Sequence, residues 1–256
     1  MSLTRLALRF AAPVPQVESF HRYLFVGPHP DDIEIGAGAT AAKLTAAGKQ
    51  VTFLVCTDGR FGFEHAPQGT TPEELVGLRK AEAIASAQAL GVTDVRFLDF
   101  SDGGAYDLEA LVKAMAQIVG DVQPELIFAP DPDVTSECHI DHRNAGEAAK
   151  RLAFFAPFPE VMAQYGAAPA PVQALAFYMT AKPNRFVKTN GLLNRQLGAI
   201  LCHRTQFPQD SEAFKSLSLY LKLRSVDFGL RSLKGRAEGF RVLGQTHMHC
   251  LPEAGQ

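Results

Sequence analysis

Two periodicities alternate through the first 150 residues, and this alternation limits the fold more than any other feature of the chain. Apolar runs rich in β-forming residues occur at 23–26, 51–56, 95–100 and 126–129. Long Ala/Leu-rich stretches separate them, at 37–47, 72–90 and 108–119. Gly48 and Gly91 stand where helix-ending residues belong, and Asp107 stands where a cap belongs. Strand, helix, strand, helix in this rhythm implies right-handed βαβ units. The expected fold is therefore α/β, a Rossmann-like, mostly parallel sheet with helices on both faces. With 256 residues the chain reads as a single domain, its core at about 22–150 and a less regular part at 151–256. In that second part 172–180 reads as a strand and 211–223 as an amphipathic helix. Residues 154–159 and 166–171, rich in Pro, Ala and Phe, read as loops, the first of them as a pocket wall or lid.

Composition removes several classes of function. A formal charge of −2 offers no surface for nucleic acid. No apolar run is long enough to span a bilayer, and the N-terminus lacks the pattern of a signal peptide. Cys56, Cys138, Cys202 and Cys250 lie far apart without a CxxC pair, so reduced thiols and a cytoplasmic location are expected.

The chemistry concentrates in two short motifs. Pro28-His29-Pro30-Asp31-Asp32-Ile33-Glu34 follows the first strand, and His139-Ile140-Asp141-His142 follows the fourth. Ligands in parallel α/β folds gather at the carboxyl ends of strands, where the strand order reverses. If these two strand ends are neighbours, two histidines and a carboxylate converge with positions left open. That is the form of a catalytic zinc site, which acidifies water and polarises a carbonyl. Each residue also has a plain reading. Asp31 and Asp32 suit a helix N-terminus without any function, and His139 and His142 suit a surface helix start.

A competing pattern is Gly36-x-Gly38-x-x-Ala41, a dinucleotide-binding fingerprint with Asp58 near the ribose position. The polar loop before Gly36 and its three carboxylates, Asp31, Asp32 and Glu34, oppose a pyrophosphate there. The glycines read better as allowing close helix packing. Two histidines and a carboxylate also suit a non-haem Fe(II) oxygenase.

The pair PHPDD…G and HxDH resembles the PIG-L/LmbE-like N-acetylglucosaminyl deacetylases. Supporting matches are Val55-Cys56-Thr57-Asp58-Gly59, Arg79-Lys80-Ala81-Glu82, Leu90-Gly91-Val92 and Phe100-Ser101-Asp102-Gly103. The resemblance implies a metal-dependent hydrolase cleaving an N-acyl amide, most often N-acetyl, of an amino sugar or glycoconjugate. It implies His29, Asp32 and His142 as ligands of one divalent ion, zinc or alternatively Fe2+. Asp31 would be the general base, His139 the cationic partner of the oxyanion, and Asp141 the residue orienting His139. Arg79 and Asp102 would bind sugar hydroxyls. Glu137 departs from the family, since some relatives carry tyrosine there. The expected partner is a small N-acylated sugar or related amide, without nucleic acid or membrane, and assembly with further copies is left open. Cys138 is kept as a minor ligand candidate. His203 reads as structural, and His247, His249 and Cys250 as surface or packing residues.

Overall fold

A computed structural model describes residues 7–8, 10–249 and 251. Seven strands form one sheet in the order β3-β2-β1-β4-β5-β7-β6. The strands are β1 (Arg22–Gly27), β2 (Gln50–Thr57), β3 (Asp94–Phe100), β4 (Leu126–Pro130), β5 (Ala174–Tyr178), β6 (Arg185–Lys188) and β7 (Ala237–Gly244). The first five pair in parallel, as the βαβ rhythm requires. β7 runs antiparallel to both β5 and β6. The order reverses between β1 and β4, so the ends of these two strands lie side by side.

The helices are α1 (Asp32–Ala46), α2 (Pro72–Leu90), α3 (Leu108–Val122), α4 (Ile140–Phe155), α5 (Pro159–Gln164), α6 (Leu193–Ile200) and α7 (Glu212–Ser232). Strand residues alternate between two cores. Tyr23, Phe25, Phe53 and Phe128 face α1, α2 and α6. Leu24, Val26, Leu54 and Ile127 face α3 and α4. Period-two alternation with both faces buried gives the near-continuous apolar runs seen in the sequence. Helix α2 begins on a capping box between Thr71 and Glu74 and ends on Gly91 with φ 87°, a conformation that favours glycine.

Helix α1 carries the first motif and is kinked at Ala37 (φ −150°). The kink frees backbone groups that other elements then satisfy, as buried groups require. Glu238 on β7 accepts from Ala39 N (3.1 Å) and Thr40 N (2.7 Å). Gln196 on α6 donates to Glu34 O at 2.9 Å. Both glycines of the supposed nucleotide fingerprint lie inside this helix, not in a strand–helix turn. A Cβ on Gly36 would lie 2.2 Å from Cδ2 of Tyr178, a fully buried ring. Because Tyr178 is also held through its hydroxyl to Val26 O (2.7 Å), it has no room to retreat. Gly36→Ala is therefore expected to cost about 2–3 kcal/mol, read by chemical denaturation. A loss under about 0.5 kcal/mol, the usual range for surface changes, would show that the contact relaxes freely.

Residues 154–159 are not a lid. They span the end of α4 and the start of α5. Helix α4 carries the chain from His142 to Phe155, about 20 Å at 1.5 Å per residue, away from the motif end of the sheet.

Candidate metal centre

Both motifs meet at the carboxyl ends of β1 and β4. The Pro28 carbonyl is fixed by the backbone N–H and hydroxyl of Thr57, each at 2.9 Å. The loop then turns sharply, and Asp32 Oδ2 accepts the His29 amide at 2.9 Å. That same oxygen lies 3.1 Å from His29 Nδ1 and 3.3 Å from His142 Nε2. Ligand atoms of His29, Asp32 and His142 all fall within 4.8 Å of one another. Donors on a tetrahedral zinc, at bonds of about 2.0–2.2 Å, stand about 3.3 Å apart, so the trio fits such an ion.

Electrostatics also fit a cation. Burial works against charge on His29, but hydrogen bonds to Asp141 and Asp32 overcome it and push its pKa up to about 10. Burial raises Asp32, yet His142 and His29 hold it well below the usual carboxylate range. His142 is raised against its burial by the Asp32 charge. Imidazole pKa values raised against burial by surrounding carboxylates mark a place where positive charge is favoured.

Asp31 stands at the N-cap of α1 but makes no capping hydrogen bond, so the plain capping reading fails for it. Its φ of 126° is strained for a residue with a side chain. Oδ2 accepts from Arg79 Nη2 at 3.1 Å. Burial pushes its pKa up to about 6, with Arg79 opposing. Arg79 itself is only 3% exposed and is no surface partner of Glu82. It donates to Gly59 O (3.1 Å) and Pro30 O (2.8 Å), which ties the Asp31 loop to β2 and α2. Glu82 instead binds the Thr205 amide and hydroxyl.

Asp141 sits nearer His29 than the sequence suggests. Its Oδ2 lies 3.1 Å from His29 Nε2 but 3.8 Å from His139 Nδ1. It also accepts from Gly103 N (2.7 Å) and Tyr106 Oη (2.8 Å). Although burial raises it, these bonds bring its pKa to about 2. It therefore forms a carboxylate–histidine support behind one candidate ligand. His139 caps α4, its Nδ1 accepting from Asp141 N at 3.3 Å. That bond leaves Nε2 as the protonated nitrogen. Burial, together with the neighbouring His29 and His142, lowers the pKa of His139.

An open cleft of about 300 Å³ adjoins these groups, lined by His29, Asp31, Phe61, Arg79, Asp102 and His139 among others. Asp102 Oδ1 is buried there without a partner, and its other oxygen accepts from Phe61 N at 3.3 Å. A recess of about 430 Å³ at the opposite ends of β1–β3, lined by Arg22, Gln50 and Asp94, holds none of the candidate metal-ligand groups found among the described residues.

One supporting residue, Tyr106, escaped the sequence reading, which named Glu137 and His203 without their contacts. Tyr106 reaches Asp141, as described. Glu137 Oε2 lies 3.2 Å from His142 Nδ1, an electrostatic contact off the N–H axis, and its other oxygen accepts the His139 amide at 2.8 Å. The signal for it was its departure from the family's tyrosine. His203 is fully buried 3.4 Å from Glu34, next to the Asp31–Arg79 pair. Cys138 is exposed and joins no candidate metal group. His247 packs between Gly244 N and Ala12 O, and His249 against the Phe154 ring. Cys250 lies outside the described residues.

Known proteins match this chain at three levels. The profile of the PIG-L family, GlcNAc-PI de-N-acetylase, matches residues 24–153. A diacetylchitobiose deacetylase of Thermococcus kodakarensis is 32% identical over 98% of this chain and 93% of its own length. A 1D-myo-inositol 2-acetamido-2-deoxy-alpha-D-glucopyranoside deacetylase of Salinispora arenicola is 33% identical over 63% of this chain and 56% of its own. Among solved structures, the N,N'-diacetylchitobiose deacetylase of Pyrococcus horikoshii, complexed with its inhibitor MPG, superposes with a TM-score of 0.86. It is 30% identical and covers 98% of this chain and 97% of its own.

Proposed function

The chain belongs to the PIG-L family of de-N-acetylases, and from that premise we propose that it hydrolyses the N-acetyl amide of an amino sugar. The observation that carries this reading is the meeting of His29, Asp32 and His142 beside a strained Asp31 that no capping role explains. His29, Asp32 and His142 would hold one divalent ion, zinc first and Fe2+ as the alternative, since two imidazoles and a carboxylate suit both. When bound, the ion supplies a water acidic enough to ionise near neutrality and polarises the amide carbonyl.

The chain's own residues supply the remainder. Asp31 takes the proton of the attacking water and delivers it to the nitrogen as the C–N bond breaks, giving acetate and a free amine. Arg79 occupies Oδ2 of Asp31, which leaves Oδ1 as the oxygen to take the proton. His139 donates its Nε2–H to the oxyanion that forms on the carbonyl oxygen. Asp141 fixes the ring of His29, and Glu137 stands behind His142. Asp102 on the cleft wall accepts a sugar hydroxyl, and Phe61, 61% exposed on the cleft rim, covers an apolar sugar face. Arg79 holds Asp31 and its loop and, lining the cleft, also meets a sugar hydroxyl.

The test of substrate class is acetate release from N,N′-diacetylchitobiose and N-acetylglucosamine, compared with N-acetylated amino acids. The sugars should be preferred by at least about tenfold in kcat/KM, 1.4 kcal/mol of transition-state binding. Equal turnover of the amino acids would reject the sugar assignment and leave the amidase chemistry.

Glu137→Ala should weaken metal affinity by about 10- to 100-fold, read by competition with a chromogenic chelator. Unchanged affinity would show that Glu137 has no hold on His142. No helix among the described residues is long and apolar enough to cross a membrane. We place the protein in the cytoplasm, where the thiols of Cys56, Cys138 and Cys202 stay reduced.

A further inference from the structure

Helix α1 is broken at Ala37, just beyond the aspartates of the candidate metal centre. In an unbroken helix the amides of Ala39 and Thr40 would donate to the carbonyls of Ile35 and Gly36. Here they donate to the Glu238 carboxylate, at 3.1 and 2.7 Å. On the other side of the break, Glu34 O and Ile35 O accept from Gln196 Nε2, at 2.9 and 3.4 Å. The same nitrogen donates to Glu238 Oε1 at 3.0 Å. All three of its neighbours are acceptors, which fixes the orientation of the glutamine amide. Two side chains thus stand in for rungs of the helical ladder, and side chains inserted there are a known cause of a sharp kink.

The glycine pair of this helix belongs to the same construction. A Cβ on Gly38 would stand 3.1 Å from Gln196 Cγ, so Gly38 admits the glutamine as Gly36 admits the Tyr178 ring. Gln196 is only 3% exposed. Its helix, α6, is tied to the end of α2 by Arg195, whose Nε donates to Ala89 O at 2.8 Å. The break leaves residues 32–36 as one isolated turn. A single turn does not hold its own direction, because a helix nucleus is unfavourable until further turns are added. Its direction is set by what grips it from outside. Arg79 grips the front, through Pro30 O and Asp31 Oδ2. Gln196 grips the back, through the carbonyls of Glu34 and Ile35. Strained backbone such as the φ of 126° at Asp31 persists only where its surroundings over-determine it.

We propose that Gln196, seated by Glu238, is a positioning residue of the metal centre. It holds the turn 32–36 in the direction that brings Asp32 to the ion and Asp31 to the attacking water, and it acts on both through the backbone. For Asp31 the proposal rests on the deacetylase reading above, whereas the hold on Asp32 is independent of the substrate. Phe61, Arg79 and Asp102 reach the cleft from β2, α2 and β3 and the loops that follow those strands. Loss of the Gln196 amide should therefore leave sugar binding alone and act on the metal and on the chemical step.

The test is Gln196→Met, which keeps the length of the side chain and removes its amide, beside Leu221→Ala. Leu221 is buried and lines the same recess as Gln196 but makes none of these bonds, so its truncation is a control for stability alone. Zinc affinity is read by chelator competition, and kcat and KM on N,N′-diacetylchitobiose at saturating zinc. Gln196→Met should weaken zinc binding and lower kcat by about tenfold or more each, the usual effect of losing an outer partner of a metal site, with KM held within about twofold. Leu221→Ala should lower the unfolding temperature at least as far and leave affinity and kcat unmoved. Glu238→Gln, which keeps one strong acceptor of two, should move affinity and kcat in the same direction by less, and it carries the test if Gln196→Met does not fold. Zinc affinity and kcat of Gln196→Met within about twofold of wild type, or losses that Leu221→Ala matches, would overturn the proposal. A wild type that binds zinc and leaves the disaccharide intact would end the deacetylase reading, while the affinity comparison still decides the role of Gln196.

Discussion

Asp31→Asn should lower kcat by about 10²- to 10⁴-fold, the usual contribution of a positioned general base, with metal content unchanged. Asparagine keeps the size of the side chain, and its amide oxygen still accepts from Arg79 Nη2, which lies 3.1 Å from Oδ2. Asparagine is also among the few residues that tolerate positive φ, so the strained backbone at 126° should persist. What disappears is the capacity to carry a proton between water and amine. Because the ligands His29, Asp32 and His142 are untouched, metal analysis and thermal unfolding should match wild type. A variant within tenfold of wild-type kcat would remove Asp31 from the mechanism.

His142→Ala attacks the other half of the site. It removes one of three donors and leaves Asp32 with His29 alone as its imidazole partner. Metal content should fall from about one per chain to a small fraction, and turnover by about 10³-fold or more, in keeping with the several kcal/mol a Lewis acid supplies. A second readout is independent of activity. Saturating metal should stabilise wild type by about 4 kcal/mol at a thousandfold excess over Kd, and this increment should vanish in the variant. Full occupancy in His142→Ala would exclude it as a ligand.

The parts of this account that sequence made legible are those where one periodicity dominates. Three of the strands, 23–26, 51–56 and 126–129, are buried on both faces, 95–100 is a half-buried edge strand, and each lies within the strand observed. The reversal of strand order between β1 and β4 follows from where the motifs had to meet. Other features were hidden for physical reasons. Helix α7 continues to Ser232, well past Leu223, because an inward and an outward apolar face together erase the single-stripe pattern. β6 is four residues long, and β7 contains Glu238, Gly239 and Arg241, so neither reads as a strand. Arg79 and Glu82 stand three apart and look like a surface ion pair, yet the chain folds over both. Asp141 is close in sequence to His139, but its position in the first turn of α4 carries its carboxylate across to His29 Nε2, a neighbour 112 residues away.

The central claim is that one metal ion, held by His29, Asp32 and His142, is required for amide hydrolysis. The direct measurement is titration of chelator-stripped protein with Zn2+ or Fe2+ while acetate release from N,N′-diacetylchitobiose is followed. The account predicts background activity in the stripped protein and a linear rise that breaks at one equivalent per chain. Full hydrolysis by stripped protein, or activity that ignores added metal while the substrate is still cleaved, would contradict it.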